Sequence, residues 1–226
     1  MNLTYYGHAS FLLETGGSKI LFDPFIRPNP LAKDIDVAAI QADYIFLSHG
    51  HGDHVADTVE IAQNTGAELL GMVELLSWFG EKGLKATYQM NLGGTVKLPF
   101  GTVKLVAAAH SSSLPDGSYA GLAAGFIIES EGKTLYFAGD TALTYDMKLI
   151  GERYKLDAAL LPIGDHFTMG IDDALVAADW TGTSKIVGMH FDTFPPIAID
   201  HASAKTKAEA AGKELVLMQV GETISL

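Results

Sequence analysis

The chain has 226 residues, 48% of them hydrophobic, enough to bury the core of one large domain spanning residues 1–226 with no second domain required. Its formal net charge is −12, and with only two arginines, Arg27 and Arg153, among scattered lysines the surface repels polyanions, which disfavours a long nucleic acid as partner. Cysteine is absent, which excludes disulfides, thiolate ligands and a cysteine nucleophile and is consistent with a reducing compartment.

The opening residues Met1 to Tyr6 lack the basic region and long apolar stretch of a signal peptide, and no later run is long enough to span a bilayer, so a cytoplasmic protein is expected. Residues 2–6, 10–14 and 18–22 read as short strands, with Gly7 and Gly16-Gly17 supplying the turns. Asp23-Pro24-Phe25 ends this meander, and Pro24, Pro28 and Pro30 keep the chain irregular until a buried strand at 43–47. Residues 55–64 carry Val55, Val59 and Ala62 at helical spacing, with Gly66 as the stop. A strand at 67–71 and a helix at 73–82 follow. Two strands flank Pro99-Phe100-Gly101, the second leading through Lys104 to Ala109 into His110, and Ser111 to Ser118 is loop by composition. Residues 123–129 and 133–138 form a hairpin, a helix near 144–153 leads to a strand at 157–161, and helices near 171–181 and 200–211 with strands near 214–219 and 222–225 close the chain.

The chain also repeats itself. Phe11 to Phe22 aligns without gaps on Phe126 to Phe137, an offset of 115 positions (126 against 11), and Asp43 to Leu47 pairs with Asp157 to Leu161 at an offset of 114 (157 against 43). Two similar β-rich halves, each followed by helices, imply two sheets packed face to face with helices outside.

One stretch concentrates the chemistry. Ser48-His49-Gly50-His51-Gly52-Asp53-His54 follows the strand at 43–47, where open α/β sheets place ligands. In extended chain His49 and His51 fall on one side and can grip one ion, while Gly50 and Gly52 let the backbone turn and carry Asp53 and His54 elsewhere. Imidazole and carboxylate are the ligands of borderline divalent metals, and donors facing two ways suggest two neighbouring ions.

His-x-His-x-Asp-His after a strand resembles the signature of the metallo-β-lactamase superfamily, whose later motifs are a His, an Asp and a His, each at a strand end. Here His110, Asp140 and His190 each follow an apolar strand. Gly7-His8-Ala9-Ser10, His110-Ser111-Ser112 and the run Leu161 to Gly170 narrow the resemblance to the UPF0173-type metal-dependent hydrolase branch related to ascorbate-6-phosphate lactonase. The resemblance implies an α/β fold, a four-layer αββα sandwich with its site along one edge between the halves. It implies that His49, His51 and His110 hold one ion, Asp53, His54 and His190 a second, and that Asp140 bridges them. The ions would be zinc, with manganese, nickel or iron as alternatives. Lactamase-type sites that use a Cys ligand are excluded. Two cations sharing a carboxylate and a water lower that water's pKa toward neutrality, so hydrolysis of a small ester, lactone or phosphoester is expected without a Ser or Cys nucleophile.

Asp53 could also orient the water or accept its proton. His8 reads by default as an exposed or capped turn residue and by resemblance as a group near the metals that supports a ligand or contacts the substrate. Asp165 and His166 align through the repeat with His51 and Gly52, which puts them at the rim of the site as candidate substrate contacts. Asp23 could support a metal-bound His from behind. His201 reads as exposed. The Ser111 to Ser118 loop and Phe191 to Pro196 are expected to flank a small-molecule substrate. Association into a homo-oligomer is compatible with the sequence. The competing readings are an iron-dependent redox enzyme of the same fold, of the persulfide dioxygenase kind, a nuclease of the tRNA-processing type, a glyoxalase-type thioesterase and a non-catalytic metal-binding protein. The acidic surface counts against the nuclease.

Overall fold

A computed structural model describes residues 1–226. The first strands are β1 (Asn2–Gly7), β2 (Ser10–Thr15), β3 (Ser18–Phe22), β4 (Tyr44–Leu47), β5 (Glu68–Met72) and β6 (Tyr88–Met90). The later ones are β7 (Thr95–Leu98), β8 (Gly101–Ala107), β9 (Ala124–Ser130), β10 (Lys133–Phe137), β11 (Ala158–Pro162), β12 (Lys185–Met189), β13 (Glu214–Val216) and β14 (Thr223–Ser225). They form two mixed sheets of the same design, ordered β14-β1-β2-β3-β4-β5-β6 and β7-β8-β9-β10-β11-β12-β13. In each, the hairpin side is antiparallel, and the side crossed over by longer connections is parallel.

The repeat in the sequence is a repeat in register. Phe11 pairs with Phe22 across one hairpin, and Phe126 pairs with Phe137 across the other. The turns correspond as well, with Gly16-Gly17 and Glu131-Gly132 all at positive φ, the conformation that two-residue hairpin turns demand. Asp43 accepts from the Lys19 amide at 2.8 Å, and its counterpart Asp157 accepts from the Thr134 amide at 2.8 Å. Equivalent residues also meet each other. Thr15 Oγ1 lies 2.8 Å from Ser130 Oγ, and the Phe22 and Phe137 rings stack with centroids 4.7 Å apart, so a pseudo-twofold axis runs between them.

The sheets pack face to face through this axis. Their inner faces form one continuous core in which Phe22, Phe46, Phe126 and Phe137 interlock at ring separations of 4.7 to 6.1 Å. Helices flank them: α1 (Gly52–Val55), α2 (Thr58–Thr65), α3 (Val73–Glu81), α4 (Asp146–Arg153), α5 (Ile171–Thr181) and α6 (His201–Ala210). The result is the α/β sandwich expected from the sequence. None of the helices is long and apolar enough to cross a membrane.

Four local expectations need correction. The helix expected over 55–64 is two, α1 and α2, because the buried Asp57 accepts from the Ile26 and Arg27 amides (2.6 and 2.9 Å) and breaks the segment to anchor the loop after β3. The strand expected to reach His110 stops at Ala107, and the chain then turns so that the Ala109 amide donates to Thr141 Oγ1 at 3.0 Å. The strand expected over 214–219 is only β13. The short, half-exposed edge strand β6 was not expected, since three residues carry too little alternation to register as a pattern.

Strand direction sets the location of the site. β1, β3, β4 and β5 run one way in the first sheet, as do β8, β10, β11 and β12 in the second, so the residues that follow them gather at a single edge. Two backbone bonds close the seam there: the His190 amide donates to the His8 carbonyl at 2.8 Å, and the Ala124 amide to the Ser48 carbonyl at 2.9 Å.

Candidate metal centre

Asp140, 2% exposed, points one carboxylate oxygen into a ring of imidazoles. Its Oδ2 lies 2.9 Å from His190 Nε2, 3.3 Å from His54 Nε2, 3.6 Å from His110 Nε2 and 4.0 Å from His49 Nε2. The donors fall into two sets on either side of this oxygen. His49, His51 and His110 form one, and His8, Asp53, His54 and His190 the other, the atoms of each lying within 4.8 Å of one another. Tetrahedral zinc with Zn–N bonds of about 2.0–2.1 Å separates neighbouring nitrogens by roughly 3.3 Å. His49 Nε2 and His51 Nδ1, 3.0 Å apart, and His8 Nε2 and Asp53 Oδ2, 3.3 Å apart, are spaced like ligands of a common ion.

The rear of the cluster is built by Asp23 at the end of β3. This fully buried carboxylate accepts from the Ser48 amide at 2.8 Å, from Ser48 Oγ at 2.5 Å and from His54 Nδ1 at 2.9 Å. With its proton given to Asp23, Ser48 Oγ accepts in turn from His49 Nδ1, 2.9 Å away. One carboxylate thereby orients an imidazole in each set, and both rings turn their Nε2 toward Asp140. Asp23, His49 and His54 also cluster on their own, but the carboxylate is already committed to three hydrogen bonds, so it supports the centre rather than forming another.

The buried polar atoms without a hydrogen-bond partner include His8 Nε2, His54 Nε2, His190 Nδ1 and Asp140 Oδ1. Buried polar groups in proteins are mostly satisfied, and here four of nine unpartnered atoms crowd into this one cluster. A buried cluster of imidazole nitrogens facing an acidic oxygen fits divalent cations, which would take the place of protons on these rings.

Charge is distributed accordingly. Burial works against the His54 imidazolium, yet Asp140 and Asp23 on its two nitrogens outweigh it and hold the pKa well above the usual value. Burial also works against the Asp140 anion, and His54 and His190 override it, holding the carboxyl well below its usual range. Burial lowers His49 strongly, with His54 adding to the effect, and lowers His51 and His110 as well. His8 is pushed down to about 4, chiefly by burial, so the ring is neutral near pH 7. Asp53 is held below the usual carboxylate range: burial opposes this, and the contact with His8 and the charge of His54 prevail.

The cluster opens on one side only, where His51, Asp53 and His110 are half-buried. Ser111 Oγ lies 3.4 Å from His51 Nε2, and the Gly50 amide donates to Ser112 Oγ at 3.2 Å, so the loop after His110 rests against the first motif. Gly50 permits that approach, since a Cβ there would sit 2.6 Å from Ala120 Cβ.

Residues 18–191 match the Beta-lactamase superfamily domain. A UPF0173 metal-dependent hydrolase of Flavobacterium johnsoniae is 52% identical over 226 residues, covering 100% of both chains. The chain belongs to the UPF0173 family of the β-lactamase superfamily. Among solved structures, Igni18, a metallo hydrolase from the archaeon Ignicoccus hospitalis, superposes with a TM-score of 0.89 at 39% identity, covering 99% of this chain and 97% of that one. The isothiocyanate hydrolase from Delia radicum gut bacteria shares the fold, with a TM-score of 0.78 at 21% identity and coverage of 100% and 99%.

In this UPF0173 chain His8 is not the exposed turn residue of the default reading. It is fully buried, wedged against His190 with ring centroids 4.1 Å apart and flanked by Phe25 and Phe194. Asp165 and His166, expected at the rim, stay out of the cluster. They line a cavity of about 650 Å³ between α5 and α6, with Asp172, Asp173, Asp200 and Lys207, and neither side chain bonds to a donor of the centre. The residue at the His49 position of the second half is Ile163, a buried aliphatic plug, and Gly164 after it packs so closely on the His190 carbonyl that a Cβ would clash. His201 is exposed, as read, and pairs with Asp192 at 2.5 Å. Ser48 and Thr193 lie in stretches expected at the site, but their hydrogen bonds to Asp23, His49 and His8 were not foreseen. Ser48 stands in the motif itself, but its role depends on Asp23, which is distant in sequence.

Proposed function

We propose that this chain is a metal-dependent hydrolase that holds two divalent ions, zinc or, alternatively, manganese, nickel or iron, and acts on a small ester, lactone or phosphoester. The observation that carries the reading is a single Asp140 oxygen within 4.0 Å of four imidazole Nε2 atoms, two from each half of the chain's donor list. His49, His51 and His110 would hold one ion, Asp53, His54 and His190 the other, and Asp140 both. When bound, the ions supply Lewis acidity and acidify a shared water toward neutral pH. Asp23 and Ser48 hold the imidazole tautomers, and the half-buried Asp53 is placed to orient a nucleophilic water at the open side. Ser111, beside His51, and the Phe194 segment, against His8, face a substrate entering there.

The net charge of −12 supports a small substrate over a polyanion. The test is elemental analysis of protein purified without added metal, followed by parallel assays on lactones, phosphodiesters, thioesters and structured RNA at matched loading. Turnover of a small ester, lactone or phosphoester dependent on two ions per chain is expected. RNA cleavage with the small substrates untouched would overturn the reading, as would a native iron centre active only with an oxidant.

A further inference from the structure

His8 stands apart from the two triads just assigned, although it belongs to the same cluster as Asp53, His54 and His190. The repeat shows what its place means. β1 occupies in the first sheet the rank that β8 occupies in the second, beside the corresponding hairpin, so His8 and His110 both lie just past strands of the same rank, although by register, counted from Tyr5 and Leu105, His8 matches Ala108. His110 faces one donor set, and His8 faces the other.

The hydrogen bonding fixes how His8 presents itself. Thr193 Oγ1 lies 3.0 Å from His8 Nδ1 and 3.3 Å from the Phe191 carbonyl, so it can accept the Nδ1–H of His8 while its own proton goes to that carbonyl, the arrangement that leaves Nε2 free for an ion. Nε2 of the neutral ring then carries a lone pair. It lies 3.3 Å from Asp53 Oδ2, buried and without a well-formed hydrogen bond, at the spacing of two ligands on one ion. A cation between them would satisfy both atoms at once. The backbone is held for the purpose, with His8 at φ 57 and its carbonyl pinned by the His190 amide, itself at φ 56. Left-handed backbone at non-glycine residues costs of order 1–3 kcal/mol and persists where the surroundings enforce it.

We propose that His8 Nε2 is a further ligand to the ion shared by Asp53, His54 and His190, an inference that rests on the two-ion reading above. Three imidazoles, Asp53 and the bridging Asp140 then leave room for one more ligand on an octahedral ion. The two positions differ in kind: the ion held by His49, His51 and His110 has a set suited to lower coordination.

The experiment is titration of metal-depleted protein with zinc and, separately, with cobalt(II), in wild type, His8→Asn and Thr193→Val. Asparagine tolerates the left-handed backbone, keeps a polar group near Thr193 and lacks Nε2. Wild type should take up two ions. His8→Asn should keep one at wild-type affinity and bind the second at least about tenfold more weakly, since even outer partners of a metal ligand are worth 10–100-fold. Its cobalt absorption should intensify as a six-coordinate ion loses a ligand. Thr193→Val leaves His8 in place and frees its tautomer, so the same ion should weaken by a smaller factor. Unchanged affinities and an unchanged cobalt spectrum in His8→Asn would overturn the role of His8 alone. If that variant does not fold, unchanged second-ion affinity in Thr193→Val would overturn it. Uptake of a single ion by wild type would instead overturn the two-ion reading itself.

Discussion

The loops after β4 and β11 hold equivalent places in two halves that share strand order, hairpin register and even the aspartate that caps the strand entry, yet only the first bears the donor run. His49 and His51 correspond to Ile163 and Asp165, and the glycines between them, Gly50 and Gly164, are retained. The strand-end aspartates diverge similarly: Asp140 points into the centre, and Asp23 turns to the rear to hold His54 and Ser48. The duplicated scaffold fixes where the strand ends lie, and a handful of substitutions decides which of them carry chemistry.

Substituting the paired aspartates breaks the comparison most sharply. Asp140→Asn should lower turnover by about three orders of magnitude, equivalent to roughly 4 kcal/mol, since it alone faces both ion sets. Asp23→Asn should cost about 10- to 100-fold in affinity at both positions, because it orients one imidazole in each set. Turnover and metal titration of the two variants check this, and a larger loss in Asp23→Asn than in Asp140→Asn would reverse the assignment.

A second test uses acidity. The lowered pKa of His8, about 4, means that the unfolded chain binds a proton there that the folded chain does not between pH 6.5 and 4. His49, His51 and His110 are lowered too, and only His54 among these rings is raised, acting in the opposite sense. Metal-free protein should therefore lose stability as pH falls from about 6.5 toward 4, measured by denaturant midpoints. Stability that rises over that window would contradict the neutral, buried rings.

The smallest effect probes the axis itself. Thr15→Val and Ser130→Ala each remove a buried hydroxyl contact, worth about 1 kcal/mol, and should destabilise the protein by similar amounts. Because the two oxygens bond each other, the double variant should lose less than the sum of the singles in a double-mutant cycle.

Much of this was legible in the sequence because the signals were local or repeated. The donor run followed a recognisable apolar strand, and the hairpins matched residue for residue, which is why the layers and the strand ends could be anticipated. What escaped depended on contacts remote in sequence. Asp57 breaks a helix by capping amides thirty residues away, and the tautomer chain through Asp23, Ser48 and His49 joins strand ends that only the sheet brings together. Alignment through the repeat brings the loop of Asp165 and His166 beside His190, but it does not give the direction of their side chains, which line the cavity between α5 and α6. Comparing strand ranks would have paired His8 with His110; the turn glycine beside His8 suggested a surface residue instead.

The seam between the halves has an evolutionary corollary. Each donor set draws on both sheets: His49 and His51 meet His110 across it, and His8, Asp53 and His54 meet His190. A half-length ancestor would have owned no complete set and would have exposed the aromatic face that the other half now covers. Such a chain would cover that face by joining a second copy of itself, and a complete set would form only at the joint between identical subunits. With both halves in one polypeptide, equivalent loops need not match: the first carries His49 where the second carries Ile163, and the second supplies His110, Asp140 and His190.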